Sequence, residues 1–142
     1  MTIEDALDQF MRDDSETAYG DFLRSVERFV KTGGDIDRRL PRNETLLHVA
    51  AESGFDELIK FLLEAGADQL ALDFAGREPA VVALDLDIDS ALQQDESEVS
   101  FQTFRVFKEH GNEFVMKELQ PKFREVASAY WVLQSFDEFM GT

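Results

Sequence analysis

The sequence predicts an all-α fold, a short solenoid of stacked helix–turn–helix units joined by hairpin loops, on three observations. Apolar residues recur at helical spacing in two adjacent runs, first Leu47, Ala50 and Ala51, then Leu58, Ile59, Leu62 and Leu63, with Gly54 between them and Gly66 after them. Parts of this unit reappear at an offset of 33 residues on either side. One helix pair cannot bury both of its apolar faces alone, so neighbours are required.

In chain order, the first helix is expected over Ile3 to Met11, with Ile3, Ala6, Leu7, Phe10 and Met11 on one stripe and Glu4 and Asp5 suiting its N-terminus. A second runs from about Thr17 to Lys31. Its end, Phe29 to Asp35, matches Leu62 to Asp68 at the offset of 33. In the central unit Thr45 caps a helix with its hydroxyl, Gly54 stops it, and the small Ala50 and Ala51 let a second helix approach closely. Gly66 ends that second helix, where a left-handed backbone is free of strain.

Thr45 to Asp68 reads T-L-L-H-V-A-A-E-S-G-F-D-E-L-I-K-F-L-L-E-A-G-A-D. This run resembles an ankyrin repeat, whose signature is Thr-Pro-Leu-His-x-Ala-Ala, a Gly, and a Leu-rich helix closed by Gly-Ala-Asp. Leu46 stands for the motif's Pro and Phe55 for its usual His. The resemblance implies an ankyrin-like solenoid, and it gives His48 a structural role, hydrogen-bonding within and between repeat loops. It names no partner, because one repeat fold serves many.

Downstream, Asp73 to Ala83 follows the good copy by 33 residues, with Pro79 and Ala83 at motif positions but Glu78 and Val81 replacing Thr and His. Its second helix is displaced by about a dozen residues, to Val106–Gly111, so the segment 86–100 reads as an insertion, and its order is left open. A final helix is expected over Lys122 to Met140, with Phe123, Val126, Ala127, Tyr130, Leu133 and Met140 on a stripe and Pro121 at its start. One domain is expected: a cap repeat at 1–35, a full repeat at 36–68, a degenerate repeat at 69–111, and cap helices at 112–142.

With 142 residues, 44% of them hydrophobic, the chain is long enough for a continuous core, and most of its 13 Phe residues fall on the helical stripes. The absence of Cys excludes disulfides and thiolate metal sites and suits a reducing compartment. No apolar run reaches membrane-spanning length, and the start M-T-I-E-D-A-L-D is acidic where a secretion signal is basic, so a cytoplasmic location is expected.

Thirty acids face 14 bases, a net charge of −16. Between Asp73 and Ser100 there are eight acids and one base, whereas 34–44 holds three of each. Such a field repels nucleic acid and anionic membranes and speeds encounter with a basic protein surface; solubility alone is the other explanation.

No Gly-rich phosphate loop, nucleophile elbow or metal-ligating His pair is present, and His48 and His110 lie far apart in repeat order. No catalytic residue, cofactor or metal is therefore assigned, and a non-enzyme is expected. Asp85, Asp87, Asp89 and Glu96 fall at positions one, three, five and twelve of a calcium-loop pattern, but Ser90 replaces its Gly, and apolar Leu86 and Ile88 intervene.

What remains is recognition of another protein. In the ankyrin family, partners usually meet the hairpin loops and the exposed side of each repeat's first helix, which form a concave face. Carried onto this chain, the hairpins are Asp35 to Thr45 and Asp68 to Glu78, with Asn43 and Gly76 at a position that takes positive φ. The partner-binding residues assigned are Arg39, Leu40 and Arg42 at the first tip, Leu72, Asp73 and Phe74 at the second, and Glu52, Val82 and Asp85 on the concave face. The apolar Leu40, Leu72 and Phe74 stand out, since such tips are mostly polar. The function expected is a small acidic inhibitor or immunity-type protein neutralising a basic partner; the alternatives are an adaptor without inhibitory action and a calcium-responsive binding protein.

Overall fold

The computed structural model describes residues 2–13, 15–94 and 99–141. It contains helices α1 (Ile3–Arg12), α2 (Glu16–Lys31), α3 (Leu46–Glu52), α4 (Asp56–Glu64), α5 (Pro79–Gln93), α6 (Gln102–His110), α7 (Glu113–Ala129) and α8 (Leu133–Met140), and no strand among the described residues. The helices stack in antiparallel pairs: α3 packs on α4 and on α5, α4 on α6, and α5 on both α6 and α7. The fold is an all-α solenoid of the ankyrin type.

The capping chemistry explains the register. The Thr45 hydroxyl accepts the His48 N–H, and the His48 ring returns the contact to the Thr45 N–H, closing a capping box at the start of α3. On the buried faces, Leu46 to Ala51 and Leu58, Ile59, Leu62 and Leu63 are sequestered from water. At one end of the stack, Phe10 lies on Phe22 at 4.6 Å and on Phe55 at 6.2 Å. At the other end, Phe104 meets Phe123 at 4.9 Å and Phe101 meets Phe139 at 4.9 Å. These clusters account for most of the chain's Phe content. Phe74 and Phe114 are largely exposed.

The segment 86–100, whose order the sequence leaves open, is helical as far as Gln93 in continuation of α5, and residues 95–98 lie outside the described set. Asp87 ties this extension down, its carboxylate accepting the N–H groups of Thr103 (3.1 Å) and Phe104 (2.7 Å) at the start of α6. The helix expected from Lys122 instead begins at Glu113, because Asn112 caps it by accepting from the Phe114 and Val115 N–H groups. Pro121 therefore lies inside α7, and the helix breaks at Trp131, whose φ of 66° turns the chain into α8. This break leaves Tyr130 exposed rather than on a buried stripe. At the other end of the chain Met11 is 58% exposed, at the edge of the groove described below.

Candidate functional site

Two hairpins project from the stack with the same turn. In the first, the Leu40 N–H bonds Glu44 O and the Asn43 N–H bonds Leu40 O, both at 2.8 Å, with Asn43 at φ 58°. In the second, the Asp73 N–H bonds Arg77 O and the Gly76 N–H bonds Asp73 O, both at 3.0 Å, with Gly76 at φ 76°. The left-handed position closes the turn, and Asn and Gly are residues that tolerate it.

Burial then alternates along residues 70–74. Ala71 and Asp73 point inward, while Leu70, Leu72 and Phe74 point out, with Leu72 46% and Phe74 71% exposed. Leu40 occupies in the first finger the position that Asp73 occupies in the second, and it is likewise buried. Leu40, Asp73 and Val82 are thus buried in the free chain, although Val82 lines the second of the hollows on α3 and α5. Leu40 fills the inward position with hydrocarbon. Asp73 fills it with polar bonds, accepting from the N–H groups of Ala75 and Arg77 at 2.9 Å each and pairing with the Arg77 guanidinium at 3.1 Å. Although burial acts to raise the Asp73 pKa, these bonds and the Arg77 charge hold it below the usual value.

Of the other assigned residues, Arg39 clamps the fingers together, donating to Asn43 O (3.0 Å) and to Leu72 O (2.6 Å). Arg42 is exposed at the first tip. His48 joins the repeats, its Nε2 lying 2.8 Å from Arg77 O. A carbonyl can only accept, so Nε2 carries the proton, while Nδ1 faces the donating Thr45 N–H. Burial holds the His48 pKa below its ordinary value. Both ring nitrogens are occupied, which leaves no lone pair for general-base work. In the degenerate repeat, Val81 stands where the motif has His, and Lys122 of α7 supplies the brace, reaching Glu78 at 2.6 Å and Gly76 O at 3.2 Å.

The concave side carries two hollows that share Glu52, the last residue of α3. One, of about 160 Å³, lies between α1, the first finger and α3, with Leu7, Met11 and Val49 beside Glu44 and Glu52. The other, of about 250 Å³, is lined by Arg77, Asp85, Asp89 and Tyr130. Asp85 pairs with Arg77 at 3.5 Å, yet burial raises its pKa against that charge. The Glu44 and Glu52 carboxyls share a hydrogen bond, and Glu44 is pushed up to about 7, by burial first and by the Glu52 charge next. Through Glu52 the two hollows join into one trough, in which Glu4, Asp8, Glu44, Glu52, Asp85 and Asp89 outnumber Arg42 and Arg77.

The first three positions of the calcium pattern do not converge on a common point. Asp85, Asp87 and Asp89 lie on α5, where side chains two residues apart point in nearly opposite directions, and Asp87 is committed to α6. Glu96 lies outside the described residues. Among the described residues, no group of three or more His, Cys, Asp or Glu side chains is placed to hold a metal ion.

Sequence reasoning missed Leu70, Glu44 and the Tyr130–Trp131 turn. Leu70 could have been read from the period of two that links it to Leu72 and Phe74. The Glu44–Glu52 pair and the Trp131 backbone carry no local signal.

The sequence profile of the ankyrin repeat matches residues 42–71. Residues 42–71 are an ankyrin repeat. Myotrophin from Xenopus tropicalis is 41% identical over 46 residues, 32% of this chain and 39% of that protein. Human diacylglycerol kinase iota is 37% identical over 65 residues, 46% of this chain. The chain covers only 6% of the kinase and well under half of myotrophin. Ankyrin repeats are protein-protein interaction modules, and this one contributes Arg42, Glu44, Val49 and Glu52 to the first hollow. No helix among the described residues is long and apolar enough to cross a membrane.

Proposed function

We propose that the chain is a non-catalytic, cytoplasmic protein-binding module that inhibits a partner with a basic surface by covering it with the second finger and the acidic trough. The observation that carries this reading is the pairing of an outward apolar strip, Leu70, Leu72 and Phe74, with a trough lined by Glu44, Glu52, Asp85 and Asp89. An apolar anchor accompanied by predominantly acidic charge suits a partner with an apolar pocket in a basic field. The net charge of −16 steers such a partner over distance.

The test begins with co-purification of the partner from the native source and assay of its activity with and without the chain. Loss of activity supports inhibition, whereas a tight complex with unchanged activity supports an adaptor. The combined Leu72→Ala and Phe74→Ala change is expected to weaken the complex by about 2 kcal/mol, as loss of apolar hot-spot anchors does, while the melting temperature stays put. Association is expected to slow as salt rises. A salt-independent rate would assign the acidity to solubility.

A further inference from the structure

We propose that the groove between α1 and α3 is a receptor for a single lysine or arginine side chain projecting from the partner. This assignment, which rests on the basic-partner reading above, follows from the shape and chemistry of the groove. Its volume is about 160 Å³, and a cavity of roughly 150 Å³ holds a group the size of benzene. Leu7, Met11, Pro41 and Val49 give it hydrocarbon walls, and Glu44 and Glu52 give it an acidic end. Long basic side chains bury an apolar stem while keeping a charged head among polar groups, and the groove offers both surfaces in that arrangement.

The internal charges leave this demand open. Glu4, which also lines the groove, pairs through Oε1 with Arg38, while its Oε2 is buried without a hydrogen-bond partner. Two carboxyl groups held side by side repel when both are ionised, which raises the pKa of one of them. The groups facing Glu44 are Glu52 on α3, Arg42 on its own finger and Asp73 on the other finger, with Glu4 and Asp8 across the groove on α1. Arg42, which also lines the groove, acts against this negative excess without cancelling it, one guanidinium facing the carboxyl groups of Glu4, Asp8, Glu44 and Glu52. Without a guest the pair retains a proton near neutrality, since Glu44 is held up to about 7. A guest ammonium or guanidinium would take the place of that proton, leaving two carboxylates around one cation and releasing the proton to solvent.

The probe is the tripeptide Ac-Gly-Lys-Gly-amide, titrated into the isotopically labelled full chain and followed by amide NMR shifts, with the norleucine peptide as an uncharged control. Saturable shifts confined to residues 4–11 and 41–52 are expected, with millimolar affinity that rises severalfold between pH 6 and pH 8. Calorimetry in two buffers of different ionisation enthalpy should register proton release at pH 6.5. Combined Glu44→Gln and Glu52→Gln changes should weaken binding at least fivefold at pH 8 and abolish the proton release. If that variant does not fold, Met11→Arg, at an exposed position, tests the same point by filling the groove with a tethered cation, and should block the peptide. Equal binding of the norleucine peptide would overturn the assignment. So would shifts scattered without saturation over the acidic surface, or binding indifferent to both variants. Failure of the basic-partner reading looks different: the peptide still binds, while the native complex forms at a rate indifferent to salt.

Discussion

Replacing Glu44 with Gln should stabilise the protein at alkaline pH and leave it almost unchanged at acid pH. In the folded chain the Glu44 carboxyl is raised from 4.5 to about 7, by burial foremost and by Glu52 next. The folded state therefore binds more protons than the unfolded chain between these values, and stability falls as pH rises through that window. Each tenfold step in proton affinity is worth ~1.4 kcal/mol, so the raised value nominally costs ~3 kcal/mol above pH 7. Glu44 is only half-buried, and solvent screening reduces this to on the order of 1 kcal/mol. Gln reproduces the size of the protonated acid without the charge, so its advantage should grow from near zero at pH 4.5 to about 1 kcal/mol at pH 8.5.

His48 acts in the opposite sense, because its lowered pKa withdraws stability as pH falls through the range where the unfolded imidazole is protonated. The informative quantity is accordingly the difference between Glu44→Gln and the parent, in which the His48 contribution cancels. Urea unfolding followed by circular dichroism at pH 4.5, 6.5 and 8.5 measures it. Glu52→Gln, which removes the other half of the pair, should show the same trend. A pH-independent difference, or a loss of stability at pH 8.5, would refute the like-charge account.

Three further outcomes follow from the same geometry. Leu40→Ala should cost about 2–4 kcal/mol of stability as a core truncation, whereas Phe74→Ala should change it by less than ~0.5 kcal/mol, and thermal melts of the two variants decide this. Asp87→Ala should cost about 2–4 kcal/mol by leaving two buried N–H groups at the start of α6 without acceptors, and Asp87→Asn, which retains one carbonyl oxygen, should cost roughly half as much in denaturant titrations. Trp131→Asn should raise stability by about 0.5–1 kcal/mol, because Asn tolerates the left-handed backbone that Trp occupies at φ 66°, with the gain read from the unfolding midpoint.

Much of the stack was legible because helical periodicity is a local property. The stripe Leu58, Ile59, Leu62 and Leu63 and the stop at Gly66 can be read without knowing what lies opposite. The turn positions of Asn43 and Gly76 were legible for the same reason: positive φ selects few residue types. Errors arose where burial depends on orientation within a hairpin. Leu40 and Phe74 are both apolar and close to a tip, yet one turns inward and the other outward, a distinction set by position in the turn rather than by hydrophobicity. Pro121 suggested a helix start because Pro suits first turns, but Asn112 had already supplied the cap nine residues earlier. Glu44 and Glu52 meet only because α3 carries the second back beside the hairpin that holds the first.

Several residues that fit the fold poorly lie in the trough or on the elements beside it. Glu44 and Glu52 set like charges together, Phe74 and Leu72 expose hydrocarbon, and Trp131 holds a strained backbone beside Tyr130, which lines the hollow shared with Glu52. The remaining repeat surfaces carry fewer such conflicts: Asp73 is satisfied by Arg77, His48 by Thr45 and Arg77, and Asp87 by the start of α6. A binding face gathers such misfits, because groups that repel or lie exposed in the free chain are relieved by the partner's cation or apolar pocket. The stabilising changes Glu44→Gln and Trp131→Asn should therefore each weaken partner affinity, and the opposition between stability and binding distinguishes a recognition surface from a poorly optimised fold.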